Sequence, residues 1–108
     1  MAKYLIQGGY TPEGLTGLVN EKATGRKAAL QTALKSIGGK LESFYFTLGD
    51  DDVVLIVDAP DNISVAAMSV MANATGLVSV RTTPLLTVDE MNQALSLTPK
   101  YRAPGEGK

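Results

Sequence analysis

The sequence predicts an α+β fold with the element order β-α-β-β-α-β, followed by one more helix. Three features lead to this prediction: an apolar run at Tyr4-Leu5-Ile6, two strand-like segments joined by an acidic turn, and two segments with apolar residues at helical spacing. The same order defines the ferredoxin-like arrangement, in which an open antiparallel sheet carries both helices on one face. We therefore expect one layer of strands that is covered on one side only.

The first strand is predicted over residues 3–9, where the apolar run leads into two glycines. Thr11-Pro12-Glu13 then signals a helix start, because a capping hydroxyl precedes proline at the first helical position and an acid in the first turn. Gly25 is a point where this helix can break, and Gly38-Gly39 is expected to end it. Apolar residues at i, i+3, i+4 and i+7 give the helix one apolar face: Leu30, Ala33, Leu34 and Ile37.

The second and third strands are predicted over residues 40–48 and 53–57, with a tight turn at residues 49–52 between them. Pro60 blocks continuation of the third strand. Because alternate side chains of a strand lie on the same face, the second strand divides into two sets. Phe44 and Phe46 are expected to point toward one apolar layer. The opposite face is expected to carry Leu41, Ser43, Tyr45 and Thr47.

Asp61 is predicted to cap the second helix, whose apolar face consists of small residues, and Gly76 is predicted to end it. The fourth strand follows over residues 77–86. Thr87-Val88-Asp89-Glu90 has the pattern of a capping box and predicts a short terminal helix.

Pro99 is expected to stop that helix. We therefore divide the chain into one domain, residues 1–98, and a C-terminal arm, residues 99–108. The arm is rich in Gly, Pro and charge, and it is expected to have no core of its own.

Composition excludes several kinds of chemistry. The 108 residues include no Cys and no His, so disulfides, thiolate or imidazole metal sites and Cys or His catalysis are absent. We expect no metal and no cofactor. A net charge of −1 gives no electrostatic reason for binding nucleic acid or an anionic membrane. The N-terminus lacks a signal-peptide pattern, so a cytoplasmic location is expected.

The apolar composition of the third strand predicts that a partner subunit covers one face of the sheet. Its residues Val53-Val54-Leu55-Ile56-Val57 are apolar on both faces, although the helices cover only one. Burying Val54 and Ile56 is favourable by roughly 1.5–3 kcal/mol for each side chain. The simplest cover is the same face of a second copy, packed sheet to sheet. A monomer that tolerates exposed aliphatic residues is the alternative.

Several motifs, in this order and spacing, resemble the GYD domain family of small dimeric α/β-barrel proteins over nearly the whole chain. They include Tyr10-Thr11-Pro12-Glu13-Gly14, Phe44-Tyr45-Phe46, Asn73-Ala74-Thr75-Gly76 and Tyr101-Arg102-Ala103-Pro104-Gly105. The Gly-Tyr-Asp signature appears here as Gly49-Asp50-Asp51-Asp52, with Asp51 where the family commonly has Tyr. The resemblance implies the fold and oligomerisation, and it brings no assigned activity.

The candidate site residues lie in the strands and the turn. The three turn aspartates are either a weak cation site or, as we favour, a solvated turn. Asp52 is expected to bond the turn backbone or to meet Arg81. Arg81 is placed to clamp a ligand anion or, as we favour slightly, to pair with an acid across a subunit boundary. The predicted ligand-binding set is Tyr45, Thr47, Asp52, Arg81 and Thr83, and no catalytic residue is predicted.

From these features we interpret the protein as a small homo-oligomer that binds a small molecule or has a structural or stress-related role. A pocket is expected between the sheet and a helix or at a subunit junction. Two alternatives stay open. One is a cofactor-free monooxygenase or isomerase of the dimeric α/β-barrel type, against which the absence of His counts. The other is a regulatory oligomer that senses a metabolite.

Overall fold

A computed structural model describes residues 1–107. The chain forms four strands, β1 to β4, and three helices, α1 to α3, in the order predicted. Their bounds are β1 Ala2–Tyr10, α1 Pro12–Ser36, β2 Lys40–Phe46, β3 Val53–Ala59, α2 Asn62–Ala74, β4 Val78–Leu85 and α3 Val88–Leu95.

The strands form one antiparallel sheet in the order β2-β3-β1-β4. The α+β, ferredoxin-like prediction is thereby confirmed, including the central position of the first and third strands. Both α1 and α2 contact this sheet, α1 mainly at β2 and α2 mainly at β4. Since both edge strands carry a helix, the helices lie side by side over one face, which we call the covered face. The opposite face is called the open face.

The helix ends follow the predicted signals. The Thr11 side chain accepts a hydrogen bond from the Gly14 amide, and Asp61 accepts one from the Ser64 amide. Thr87 and Glu90 form a complete capping box at the start of α3. After α1, Gly38 has φ +79°, a left-handed conformation that glycine adopts without a steric penalty.

The break in α1 lies at Lys22 and not at Gly25, where it was expected. Lys22 has φ 70° and ψ 168°, so α1 consists of two helical pieces joined by a kink. Gly25 stays helical, and a Cβ there would lie 3.2 Å from the Glu21 Cβ. The glycine therefore makes room for the Glu21 side chain. Lys22 instead adopts a region of backbone space that is essentially restricted to glycine and costs about 1–3 kcal/mol.

The hydrophobic core lies between the covered face and the helices. Its largest fully buried side chains are Tyr4, Leu34 and Val57, which come from β1, α1 and β3. Leu34 lies on the apolar face predicted for the first helix, and Leu30 and Ile37 of that face pack against the same core.

A bulge in β2 corrects one prediction about faces. The register shifts between Leu41 and Ser43, so that Leu41 is opposite Val57 on the covered face while Ser43 is opposite Ile56 on the open face. Ser43 therefore shares a face with Tyr45 as expected, whereas the expectation that Leu41 lies on that face was wrong. A bulge places two residues against one on the neighbouring strand, and this reverses the alternation on one side of it. Phe44 does pack against the core as expected.

The terminal helix α3 projects from this body. It has no buried residue and makes no extensive contact with another helix or strand of residues 1–107. The radius of gyration is 17.6 Å, against about 13 Å for a compact chain of this length. Residues 99–107 contain no helix or strand. No helix in the described part of the chain is both long and apolar enough to cross a membrane.

Candidate ligand-binding site

A cavity of about 380 Å³ lies between the covered face, α1 and α2. Its volume is within the range of small-molecule sites, roughly 300–1,000 Å³. The floor is formed by core side chains of β1 and β3, and the walls are formed by α1 and α2. Apolar lining residues include Ile6, Leu30, Phe44, Leu55, Met68 and Val80.

Two of the polar residues that line the cavity already have partners. Ser69 Oγ lies 2.6 Å from Thr82 Oγ1 and forms a hydrogen bond with it. Thr75 Oγ1 donates to the carbonyl of Ala72 at 2.7 Å and accepts from the amide of Leu77 at 3.0 Å. These two hydroxyls therefore serve the packing of α2, and a ligand would have to compete for them.

Tyr10 and Arg26 are the other two polar side chains, and both have hydrogen-bonding capacity to spare. Neither the Tyr10 hydroxyl nor any side-chain nitrogen of Arg26 forms a hydrogen bond within residues 1–107. The Arg26 Nε is buried without a hydrogen-bond partner, although Glu21 Oε2 lies 3.4 Å away. The two side chains form an ion pair whose geometry is not that of a hydrogen bond. Buried polar groups without partners are rare and call for an explanation.

The electrostatics of Tyr10 keep its hydroxyl protonated. Burial raises the pKa of Tyr10 above its ordinary value, the Arg26 charge opposes that effect in part, and the charges of Glu21 and Asp52 add to it. Because the raised value lies above neutral pH, the hydroxyl is a hydrogen-bond donor under ordinary conditions. Tyr10 and Arg26 line the same cavity.

The position of Tyr10 is fixed by Asp52. The Asp52 carboxylate accepts a hydrogen bond from the Tyr10 amide at 2.9 Å, and the Asp52 amide donates to the carbonyl of Gly8 at 2.8 Å. The hairpin between β2 and β3 thereby holds the end of β1 that carries Tyr10. Asp52, predicted to bind ligand directly, lies at this strand end and bonds its backbone.

The other predicted residues lie apart from the cavity. Thr47 donates a hydrogen bond to the carbonyl of Asp51 within the hairpin. Tyr45 is opposite Val54 and Thr83 is opposite Leu5, so both lie on the open face. Arg81, also on that face, is opposite Gln7. The structure thus places Tyr45, Arg81 and Thr83 on one face, but Tyr45 lies on the edge strand β2 and the other two lie on the opposite edge strand β4. Whether that face binds a ligand stays a prediction.

Arg81 pairs with Asp51 of the same chain. Its two terminal nitrogens lie 3.1 Å and 3.0 Å from the two carboxylate oxygens of Asp51, and one also donates to Gln7 Oε1 at 3.3 Å. The Arg81 hydrogen bonds hold the pKa of Asp51 below its ordinary value. Asp51 therefore holds Arg81. It takes the place expected for Asp52 as the acid that meets this arginine.

Sequence reasoning did not single out Tyr10 or Arg26 as site residues. Tyr10 appeared only within the motif Tyr10-Thr11-Pro12-Glu13-Gly14, and Arg26 had no predicted role. One signal was present for Arg26. It lies four residues before Leu30, on the same helical stripe, so a cation occupies a position where the apolar face continues.

No group of three or more Asp, Glu, His or Cys side chains within residues 1–107 is arranged to hold a metal ion. The turn aspartates do not point to one common site, because Asp51 binds Arg81 and Asp52 binds the Tyr10 amide.

Comparison with known proteins gave one match. The model of a family described as the GYD domain matches residues 4–95. Neither the curated proteins nor the solved structures yielded a match to this chain.

Proposed function

The chain belongs to the GYD domain family, and from that premise we propose that it is a homo-oligomer that binds an apolar small molecule. The proposed binding site is the cavity between the covered face and the helices. The observation that carries the proposal is a cavity of about 380 Å³ with mostly apolar walls and two polar side chains free to bind. Pockets of this composition bind ligands by burying apolar surface, while a few polar groups set the orientation.

Binding can be measured with the neutral fluorophore N-phenyl-1-naphthylamine, whose emission rises in apolar surroundings. We expect saturable binding to the wild-type protein. Ala29 lines the cavity, so Ala29→Phe is expected to fill it and to abolish binding. Ala28 is exposed and does not line the cavity, so Ala28→Phe adds the same side chain one position away and should bind like wild type.

Far-UV circular dichroism and the thermal midpoint establish that the variants are folded. Ala72→Leu fills the cavity from the α2 wall and provides a second blocking variant. Lack of saturable binding by the wild-type protein, or equal binding by both phenylalanine variants, would overturn the proposed site.

The open face supports the oligomeric part of the proposal. Its centre is apolar and half-buried, formed by Leu5, Val54 and Ile56. Charged pairs lie at the two ends of this centre. Such an apolar centre with a polar rim is the usual anatomy of a protein interface. The proposed occupant is the same face of a second copy, related by a two-fold axis, which would form a dimeric α/β barrel.

The charged rim favours a second copy over an unrelated partner. At one end Lys3 pairs with Glu42 and Asp58, and these partners raise the pKa of Lys3. At the other end Arg81 pairs with Asp51. Both ends carry cation and anion together, so the face is close to balanced in charge and does not repel a copy of itself.

Sedimentation equilibrium tests self-association at micromolar concentration. We expect a mass that is a multiple of the 11.3 kDa chain. Ile56→Lys is expected to shift the protein to the monomer, and Tyr45→Lys, at a more exposed position of the same face, provides a second disrupting variant. Val70→Lys changes an exposed residue of α2 and should leave the mass unchanged. A wild-type monomer at this concentration contradicts the oligomer.

A further inference from the structure

We infer that the ligand of the cavity is an apolar monocarboxylate, whose carboxylate is bound by Arg26 and Tyr10 at the mouth while its apolar body lies inside. This inference rests on the proposed function and names the class of ligand. It starts from the Arg26 Nε, which is buried and has no hydrogen-bond partner among residues 1–107.

The geometry of the arginine suits a carboxylate. A guanidinium presents its N–H groups in a planar fork that matches the two oxygens of a carboxylate. The Arg26 side chain is 32% exposed, so the charge lies at the edge of the cavity and not within it. A carboxylate there would keep part of its hydration, and the apolar body would extend toward Leu30 and Phe44.

Tyr10 adds a neutral donor beside the cation. Its hydroxyl is unpaired within the described chain and lines the same cavity. A protonated phenol next to a guanidinium donates to an anion, as a carboxylate requires, and has no negative charge to repel it. Glu21, near Arg26, and Asp52, near Tyr10, offset part of the cationic charge, but neither forms a hydrogen bond with the Arg26 side chain or the Tyr10 hydroxyl that a ligand would have to break.

The local backbone supports a built site. Lys22, the one residue other than glycine with positive φ in residues 1–107, lies one turn before Arg26. Strained backbone of this kind concentrates at ligand-binding positions, where the surrounding structure maintains it. The kink divides α1 next to the Glu21–Arg26 pair, so it sets the angle at which this stretch of helix crosses the cavity mouth.

The test compares 2-naphthoate with 2-naphthamide, which have the same apolar body and differ in the charge of the head group. Affinities are measured by displacement of N-phenyl-1-naphthylamine at neutral pH. We expect the wild-type protein to bind 2-naphthoate roughly 10-fold or more tightly than 2-naphthamide, because hydrogen bonds to a charged group are the stronger ones. Equal affinities for the two compounds would overturn the inference without any variant.

Three substitutions test which side chain causes the preference for 2-naphthoate. Arg26→Met keeps the apolar stem, and it is expected to remove the preference for 2-naphthoate while affinity for the neutral probe changes by less than about threefold. Lys27→Met removes the same charge from an adjacent residue that does not line the cavity, and it should keep the preference. Tyr10→Phe is expected to weaken the binding of both compounds, since a neutral donor can bond a carboxylate and an amide alike.

The outcomes separate the two proposals. If the neutral probe binds but 2-naphthoate has no advantage, or if the advantage survives Arg26→Met, the carboxylate inference fails and the apolar binding site stands. If the neutral probe does not bind the wild-type protein, the proposed function fails, and the inference fails with it.

Discussion

The two faces of the sheet differ in what packs against them. In β3, Leu55 and Val57 point to the covered face and are 5% and 0% exposed, whereas Val54 and Ile56 point to the open face and are only half-buried. All four are aliphatic, so the strand composition does not distinguish the faces. The difference comes from the helices, which the connections after β1 and β3 place on one side.

Each face leaves a different space. The covered face carries helices that do not fill the space above it, and the space left is a partly open cavity suited to a small molecule. The open face is flat and flanked by ion pairs, so the space it leaves is suited to another sheet. One sheet can therefore serve a ligand on one side and a second copy on the other.

The largest expected effect on stability compares two adjacent residues of β3, one on each face of the sheet. Leu55→Ala is expected to lower the free energy of unfolding by about 2–5 kcal/mol, because it removes buried methyl groups and enlarges a cavity. Ile56→Ala is expected to cost about 1 kcal/mol in dilute protein, since its side chain is only half-buried there. Chemical denaturation measures both.

Protein concentration separates the two variants further. The effect of Ile56→Ala is expected to grow as concentration rises, because a second copy would bury that residue, while the effect of Leu55→Ala stays constant. Equal costs for the two variants in dilute protein would show that the faces are equally buried in the monomer.

The next effect concerns the tight packing that holds α1 on the covered side. A Cβ at Gly14 would lie 2.0 Å from the carbonyl oxygen of Leu77, so Gly14→Ala is expected to destabilise the protein by about 1–3 kcal/mol. Gly17, one turn later, has no atom within 4 Å of such a Cβ. Gly17→Ala should therefore stabilise by about 0.5–1 kcal/mol, because alanine is the better helix residue. Thermal or chemical unfolding of both variants decides the signs, and a loss in both would place Gly17 in an unseen contact.

Much of this fold could be predicted from the sequence, because local signals determine its boundaries. Thr11 with Pro12, Asp61, and Thr87 with Glu90 each start a helix where the pattern indicated. Each cap joins residues three apart in sequence, so its chemistry can be read without knowledge of the fold.

The errors arose where the decisive partner is distant or the backbone is irregular. The bulge before Ser43 placed Leu41 on the face opposite to the predicted one, and no residue type in β2 indicates that a bulge occurs there. The kink at Lys22 occurs at a residue with no special backbone freedom, while the nearby glycine stays helical.

The cavity could be expected only as a location between the sheet and a helix. Its two free polar residues are far apart in sequence, since Tyr10 ends β1 and Arg26 lies in the second piece of α1. Only the packing of α1 over the sheet brings them together. The pairing of Arg81 with Asp51, and not with Asp52, depends likewise on how the hairpin folds back over the end of β1.

A smaller effect compares one tyrosine from each face. The Tyr4 hydroxyl, on the covered face, donates to Asn62 Oδ1 at 2.6 Å. Tyr4→Phe is expected to cost about 1 kcal/mol, since it removes that hydrogen bond and leaves the Asn62 oxygen without this donor. Tyr45 lies on the open face, is 67% exposed and forms no hydrogen bond through its hydroxyl within residues 1–107, so Tyr45→Phe should leave monomer stability nearly unchanged. Denaturant midpoints of both variants test the pair, and a larger loss for Tyr45→Phe would contradict the assignment of faces.

The smallest expected effect is the acid sensitivity of the open-face rim. Arg81 holds the pKa of Asp51 below its ordinary value of 3.8. A lowered folded-state pKa stabilises the protein above the ordinary value, and this contribution is lost as the pH falls through the lowered pKa. Asp51→Asn should therefore flatten the decline of the denaturant midpoint in acid.

Asp50→Asn is the matched control, because Asp50 is an exposed neighbour in the same turn and forms no ion pair within residues 1–107. Asp61, whose pKa is lowered by hydrogen bonds from Ser64, leaves some acid sensitivity in both variants. The Arg81 side chain is 63% exposed and that of Asp51 is 25% exposed, so added salt should weaken the contribution of the pair in part. If Asp51→Asn instead matches the control in dilute protein but differs from it in concentrated protein, the pair acts at the interface between copies and not within the monomer. That result would show that the ion pair at the end of the open face stabilises the assembly of copies and not the folded monomer. The covered face would differ further, because its contacts lie within one chain.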